Sequence, residues 1–145
     1  MRAGSARDAA RDRLGEEVVP EQSYRETISR TVEVEFTHKR VFDGGGEFAN
    51  VRIRLEPLPR GTGVQFVNDV RGGCVPEHMI GGVEEGIQQA AKAGVLNGGT
   101  VVDFRATLVD GKYHELDSNW HTFSLAAQGA FWDGMRKAGP KLLLR

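Results

Sequence analysis

The sequence predicts an α+β fold in which two helices pack on one face of a four-stranded sheet. Apolar and polar residues alternate in four separate stretches, as expected for strands with one buried face. Two further stretches carry apolar residues at helical spacing, and no internal repeat is present. Strands and helices of this number in a chain of 145 residues favour a single sheet backed by helices.

Length and composition are those of one globular domain, with 39% hydrophobic and 27% charged residues. The net charge is −1, from 19 basic and 20 acidic residues, so nucleic-acid binding would require a local patch. Cys74 is the single cysteine, which excludes an internal disulfide and is typical of a reducing compartment. Neither a membrane-length apolar run nor a signal peptide is found. We therefore expect a cytoplasmic protein without a membrane partner.

Residues 1–22 differ from the remainder of the chain. They are rich in alanine and in balanced charge, and they contain few apolar anchors. Alanine and arginine favour helix, whereas the shortage of anchors favours a poorly ordered terminus. We predict a poorly structured or helical N-terminal extension over 1–22 and a folded domain over 23–145.

The first two strands flank a glycine-rich turn and predict a β-hairpin. The first strand has its apolar residues on one parity, broken at Arg30: Ile28, Val32, Val34 and Phe36. Its signal weakens through residues 38–40, and Asp43-Gly44-Gly45-Gly46 predicts the turn. The second strand has the clearest alternation in the chain: Ala49, Val51, Ile53 and Leu55.

A short strand over 64–70 and then a helix follow the hairpin. Pro76 suits the first turn of a helix, where its missing N–H costs little. Apolar residues then recur at helical spacing, at Ile80, Val83, Ile87 and Ala90. Gly94 is expected to end this helix. Gly81 and Gly82 would either permit close packing on the sheet or fray the first turn.

The last part of the domain predicts a strand, a polar loop and a second helix. Val101–Val109 alternate as a strand, and Asp110-Gly111 predicts a tight turn because glycine reaches positive φ. Ser118 is a plausible N-cap. The helical stripe is Trp120, Phe123, Ala127, Ala130 and Phe131. Gly139-Pro140 ends the helix, and residues 142–144 predict a last buried segment.

Residue types alone suggest four kinds of site, and each has a simpler explanation. Residues 43–46 could bind phosphate, but they lack G-x-x-x-x-G-K-[ST] and open no helix, which favours a flexible turn. The four histidines, at 38, 78, 114 and 121, have no i, i+4 pair and Cys74 has no partner at zinc spacing, which favours exposed side chains. His114, Asp117 and Ser118 are neighbours on one loop without a G-x-S-x-G elbow, which favours a polar turn and N-cap over a hydrolase.

Basic residues form the fourth candidate, because they could contact RNA phosphates: Arg40, Arg52, Arg54, Arg60, Lys112, Arg136 and Lys137. Arg52 and Arg54 share the outer face of the second strand. A solvated strand face explains them equally well. The Trp120 and Phe123 stripe is interpreted as core, in preference to a base-stacking platform.

A series of ordered blocks carries a family resemblance: Tyr24-Arg25-Glu26-Thr27-Ile28, Arg54-Leu55-Glu56-Pro57-Leu58, Phe66-Val67-Asn68, Gly72-Gly73-x-x-Pro76, Val83-Glu84-x-Gly86-Ile87, Gly94-Val95-Leu96, Val101-Val102-Asp103, Gly111-x-Tyr113-His114-x-x-Asp117-Ser118 and Lys137-Ala138-Gly139-Pro140-x-Leu142-Leu143. Over roughly residues 23–145 the chain closely resembles the fourth domain of bacterial translation elongation factor G. It is also similar to the matching domain of the tetracycline-resistance ribosomal protection proteins.

The resemblance implies a fold of the ribosomal protein S5 domain 2-like type. It implies an elongated arm that reaches the decoding region of the small ribosomal subunit and promotes movement of transfer RNA and messenger RNA. The two tip loops would be 42–48 and 110–118, with His114 as the tip histidine. The implied ribosome- or RNA-contacting residues are Asp43, Gly44, Gly45, Gly46, Glu47, Asp110, Gly111, Lys112, Tyr113, His114, Asp117 and Ser118.

The hairpin departs from the family pattern, which usually reads Ser-Gly-Gly-Arg-Gly-Gln-Tyr-Gly. Here Phe42–Ala49 has Gly45 in place of the arginine and acidic residues at Asp43 and Glu47. Exchanging a cation for anions should weaken contact with phosphates.

The chain has no P-loop, so we expect no enzyme activity and no cofactor in it; GTP is implied only for the complete factor. The implied partners are the small subunit with its transfer and messenger RNA, and the other domains of the parent factor if the chain is a fragment. The alternative is a standalone divergent relative that binds protein or RNA without translocation activity.

Overall fold

The computed structural model describes residues 24–96 and 99–144, so the predicted extension 1–22 lies outside the described residues. In chain order the elements are β1 (Tyr24–Thr27), β2 (Val32–Phe42), β3 (Gly45–Pro57), β4 (Val64–Asn68), α1 (Glu77–Ala93), β5 (Thr100–Val101), β6 (Phe104–Lys112), α2 (Trp120–Lys137) and β7 (Lys141–Leu144). The α+β class is confirmed. No helix among the described residues is long and apolar enough to cross a membrane.

The main sheet has four strands in the order β2-β3-β6-β4. Its strands are antiparallel except for β4, which runs parallel to β6. The β2–β3 ladder continues to the pair Phe42 and Gly45, so the hairpin turn is Asp43-Gly44, with Gly44 at φ +85°. The hairpin therefore extends through residues 38–40, where the sequence signal weakens.

A smaller sheet, in the order β5-β1-β7, corrects two strand predictions. The predicted first strand is two strands in different sheets, separated where the N–H groups of Ser29 and Arg30 both donate to the carbonyl of Ala138 (2.8 and 3.1 Å). The predicted strand 101–109 is likewise divided into β5 and β6, and Asp103 at the break has φ +62°. Hydrogen bonds to distant parts of the chain accompany both breaks, since the Asp103 carboxylate accepts from the N–H groups of Gly61 and Gly63.

The end of the described chain is also different from the prediction. Residues 142–144 belong to β7, which pairs antiparallel with β1. Leu142 is 42% exposed, so the prediction of a buried segment is wrong for this residue. Backbone pairing on the sheet edge, more than burial, holds this strand.

The helices cover one face of the main sheet, as predicted. The alternate apolar side chains of β3 are fully buried, and so are those of the neighbouring strand β6. They are Val51, Ile53 and Leu55 on β3, and Phe104, Ala106 and Leu108 on β6. The helices supply Val83, Ile87, Phe123, Ala127 and Phe131. Burial of each large apolar side chain contributes about 1.5–3 kcal/mol, so this layer is the main source of stability.

The two helices run side by side in the same direction and approach closely through glycines. A Cβ on Gly82 would overlap the carbonyl oxygen of Trp120, and one on Gly86 would overlap that of Ser124. The predicted close packing therefore occurs against α2 and not against the sheet. Trp120 opens α2 with its side chain 44% exposed, so its assignment to the core is wrong.

The C-terminal ends of both helices agree with the sequence, but Pro76, predicted in the first turn of α1, is its N-cap, and the start of α2 also differs. Gly94 follows α1 with φ +73°, and α2 ends before Gly139, as predicted. Asn119, and not Ser118, is the N-cap of α2. Its side chain accepts from the N–H of Thr122 (2.8 Å), and its own N–H donates to the Thr122 hydroxyl (2.9 Å), which satisfies two free donors of the helix start.

Candidate functional site

The β2–β3 hairpin protrudes beyond the third strand of the sheet. The β3–β6 ladder ends at the pair Asn50 and Lys112, whereas β2 and β3 continue to Phe42 and Gly45. We call residues 39–48 the hairpin end and residues 113–119, which follow β6, the second loop. Together they form the tip of the domain.

Backbone and hydroxyl hydrogen bonds join the second loop to the hairpin end. The N–H of Phe48 donates to the carbonyl of Asp117 (2.9 Å). The hydroxyl of Ser118 donates to the carbonyl of Phe48 (2.6 Å) and accepts from the N–H of His114 (2.8 Å). Ser118 is buried, so it shapes the tip and does not offer its hydroxyl to a ligand.

Side-chain packing strengthens this junction. The rings of Phe48 and His114 lie 5.0 Å apart at an angle of 58°. A Cβ on Gly46 would lie 3.0 Å from the carbonyl oxygen of Arg40 and 3.3 Å from a carboxylate oxygen of Asp117. A larger residue at position 46 would therefore push the two loops apart.

The predicted turn at Asp110-Gly111 is wrong. Both residues belong to β6, and the turn of the second loop comes later, at residues 115–117. A Cβ on Gly111 would lie 2.7 Å from the carbonyl oxygen of Asn50 and from a methyl carbon of Val75. This glycine permits a close approach of two backbones. Glycine is favoured both at such contacts and in turns, so the residue type alone does not distinguish them.

An acidic group on the hairpin end is held by a histidine. The Nε2 atom of His38 lies 2.9 Å from a carboxylate oxygen of Glu47. This hydrogen bond lowers the pKa of Glu47, and the charges of His38, Arg40 and His121 add to the effect against a smaller penalty from burial. His38 is partly buried, so the expectation of an exposed histidine is wrong at this position.

The outer face of the sheet pairs its arginines with glutamates. Arg52 lies 3.3 Å from Glu35 and 4.0 Å from Glu33, and Arg54 lies 3.7 Å from Glu33. Hydrogen bonds from Asn50 and then from Arg52 lower the pKa of Glu35. These arginines lie in a mixed-charge surface, which supports the solvated-face interpretation over an RNA-binding patch.

The tip geometry does not assemble a hydrolytic site. The Ser118 hydroxyl donates to a backbone carbonyl, whereas a nucleophile would donate to the imidazole of a base. Among residues 24–96 and 99–144, no three His, Cys, Asp or Glu side chains are grouped to hold a metal ion.

The predicted contact residues differ in their solvent exposure. Seven are exposed: Asp43, Gly44, Gly45, Asp110, Lys112, Tyr113 and His114. Gly46, Glu47 and Asp117 are partly buried, and Gly111 and Ser118 are buried. Gly111 and Ser118 can therefore influence a ligand only through the shape of the tip.

Sequence reasoning missed the exposed apolar residues of the tip. Val41 is 81% exposed, Phe42 47% and Leu116 95%. A usable signal was present, because Val41 and Phe42 lie next to the turn, where the hairpin protrudes from the sheet. The guanidinium of Arg40 lies over the Phe42 ring at 5.9 Å from its centre.

Sheet, helices and tip together define an α+β domain of the ribosomal protein S5 domain 2-like type. A crystal structure of a protein from Thermus thermophilus has this fold, with a TM-score of 0.79 and 39% identity, over 86% of this chain and 18% of that chain. The family model "Elongation factor G, domain IV" matches residues 20–139. The chain therefore belongs to the elongation factor G family of translation elongation factors, in its domain IV.

Curated relatives agree with this assignment. Elongation factor G of Ehrlichia chaffeensis (strain ATCC CRL-10679 / Arkansas) is 49% identical over 124 residues, and that of Orientia tsutsugamushi (strain Ikeda) is 47% identical over 124 residues. Each match covers 86% of this chain and 18% of the relative. The matched segment thus spans less than a fifth of the length of these relatives.

Proposed function

We propose that this chain is the part of an elongation factor G-like protein that reaches the decoding region of the small ribosomal subunit in the cytoplasm. There it promotes the movement of transfer RNA and messenger RNA. The observation that carries the proposal is the tip: two loops joined by Ser118 at the end of a protruding hairpin, in a chain of this family.

The hairpin suits a mechanical role because its ladder is continuous. Every position from Val32 to Phe42 has a partner on β3, and the helices brace the other end of these strands. His114 is held by its own N–H and by its ring contact with Phe48. A force applied at the hairpin end would therefore be transmitted through the paired strands β2 and β3 to the rest of the sheet.

The energy for such movement would come from elsewhere in the complete factor. The printed sequence has no G-x-x-x-x-G-K-[ST] motif, and we assign GTP binding and hydrolysis to a separate domain. The other domains of that factor would then be direct partners of this chain, beside the ribosome.

Translocation is tested by exchange of domains. In a chimera, residues 20–139 of this chain replace domain IV of an elongation factor G, and single-turnover translocation is measured with GTP hydrolysis as the control. We expect translocation by the chimera, and a rate about tenfold to a hundredfold lower with His114→Ala, because a positioned contact is lost. Equal rates for both chimeras would refute the role of His114. A chimera that binds small subunits without translocating would instead support the binding-module alternative.

The altered charge of the hairpin gives a second test. Gly45 lies outside the left-handed region, and a Cβ there would contact only Phe42, at 3.9 Å, so an arginine fits without strain. We expect Gly45→Arg to tighten binding to small subunits and to steepen its salt dependence by about 0.7 per phosphate contacted. Thr62→Arg, in an exposed turn ahead of β4, adds the same charge as a control. Equal effects of the two variants would show that position 45 does not meet RNA.

A further inference from the structure

We propose that the tip contacts unstacked RNA bases through their faces, with Phe42, Val41 and Leu116 as the contacting residues, and that phosphate contacts contribute little. This inference rests on the proposed function, because it names how the same tip would meet its RNA. It concerns exposed residues that are not among the contact residues implied by the resemblance, although Phe42 and Leu116 lie within the implied tip loops.

The tip exposes more apolar surface than its folding requires. Leu116, at the turn of the second loop, is 95% exposed, and Val41 is 81% exposed on β2. The helices and the main sheet cover neither side chain. Exposed apolar side chains grouped at one end of a domain mark a contact surface more often than scattered single ones do.

The hairpin end carries an exposed apolar side chain on each of its faces. Successive residues of a strand point to opposite sides, so Val41 and Phe42 lie on opposite faces of β2. Leu116 lies next to Asp117, whose carboxylate is beside Gly46 of the hairpin. A hairpin end with an apolar side chain on each face can enter between two bases and contact a ring on each side, as apolar wedges do in nucleic acids.

Charge argues against phosphate as the main ligand. The tip, residues 39–48 and 113–119, contains two lysine or arginine residues and four acidic residues. One of the acids, Glu47, accepts a hydrogen bond from His38, which favours its carboxylate form and lowers its pKa. A surface with excess negative charge disfavours contact with the RNA backbone, so the exposed apolar and aromatic side chains are the groups of the tip suited to bind RNA, through the faces of its bases.

A guanidinium beside Phe42 is also placed for stacking. The Arg40 guanidinium lies over the Phe42 ring, at 5.9 Å from its centre. Planar guanidinium and aromatic groups are the surfaces on which unpaired RNA bases stack. This preformed pair favours a base over an apolar protein partner.

The test compares one oligoribonucleotide in two states. The 145-residue chain is titrated with a fluorescent single strand of about 12 nucleotides, within the usual site size, and with the same strand annealed to its complement. The duplex doubles the phosphates and hides the base faces. We expect tighter binding to the single strand and a weak salt dependence. Equal or tighter binding to the duplex, or no binding to either, would overturn the proposal.

Variants identify the contacting side chains. Phe42→Ala and Leu116→Ser should each weaken single-strand binding about tenfold, and Phe42→Tyr should preserve it because the ring is kept. Leu142→Ser, at an exposed leucine on β7, should have no effect. Unchanged binding with Phe42→Ala, or equal loss with Leu142→Ser, would contradict base contact at the tip.

The same variants on isolated small subunits separate this inference from the proposed function. If the unaltered chain binds subunits and Phe42→Ala binds equally well, the inference fails and the function stands. If the unaltered chain does not bind subunits, the function fails, and the oligonucleotide comparison still decides the inference. Loss of subunit binding with Phe42→Ala but full oligonucleotide binding would identify a ribosomal protein as the ligand and overturn the inference.

Discussion

Substitution by alanine should change the stability of the domain in opposite directions at the two adjacent glycines of α1, Gly81 and Gly82. A methyl group at Gly82 would overlap the carbonyl oxygen of Trp120, which is backbone and cannot turn aside. A methyl group at Gly81 would lie 3.2 Å from the indole nitrogen of Trp120, at the end of a side chain that is 44% exposed and can rotate. Gly81→Ala is therefore a matched control for Gly82→Ala.

The change in the free energy of unfolding for each variant is the sum of a helix-propensity effect and a packing effect. Alanine is favoured over glycine in a helix interior by about 1 kcal/mol, and both variants gain this. At position 82 the helices must separate, which costs up to about 3 kcal/mol as overpacking. We expect Gly82→Ala to lower the free energy of unfolding by about 2 kcal/mol and Gly81→Ala to raise it by up to about 1 kcal/mol.

Urea unfolding followed by circular dichroism measures both values. With an m value of about 2 kcal/mol/M, Gly82→Ala should lower the midpoint by about 1 M. The m value itself should stay constant, because the native surface changes little. If Gly82→Ala proved as stable as Gly81→Ala, the close approach of the two helices at Trp120 would be refuted.

Two further predictions concern the tip. Ser118→Ala removes the buried hydroxyl that bridges the two loops, at a cost of about 1–3 kcal/mol, so the amide hydrogen of His114 should exchange at least about tenfold faster. Ser124→Ala is the control. Unchanged hydrogen exchange at His114 would contradict the bridging role of Ser118. The pKa of Glu47 is lowered from the ordinary 4.5, chiefly by His38, so its stabilising effect is complete above about pH 4.5 and is lost as the pH falls through the lower, folded-state pKa. Glu47→Gln should therefore flatten the acid limb of a stability–pH profile more than Glu115→Gln, and equal profiles would count against the His38 hydrogen bond.

Strands with one covered face were predictable from sequence, because burial imposes a period of two. The alternation Val51, Ile53 and Leu55 identifies β3, and all three side chains are buried. The division of the first predicted strand was not predictable, since it depends on a carbonyl of Ala138 more than a hundred residues away. The only local trace is the interrupted parity at Arg30.

The wrong predictions at Gly111 and Ser118 have a common physical origin. The pair Asp110-Gly111 predicts a turn, yet Gly111 is needed for the close approach to Asn50 across the sheet. The position of Ser118 predicts an N-cap, yet its hydroxyl bridges the two loops and Asn119 caps the helix. Each residue type serves several backbone roles, and only the partner distinguishes them.

Shape and ligand chemistry depend on different residues of the tip. Its shape follows from groups that point inward: the Ser118 hydroxyl, the Phe48 amide and the close approach at Gly111. Outward positions such as Phe42 and Gly45 contribute little to that framework, since a side chain at Gly45 would meet only the Phe42 ring. Substitution at outward positions can therefore change the proposed contact with RNA while the geometry of the tip is retained. Membership in the family consequently predicts the positions of the two loops, whereas the surface they present depends on the outward residues of each chain.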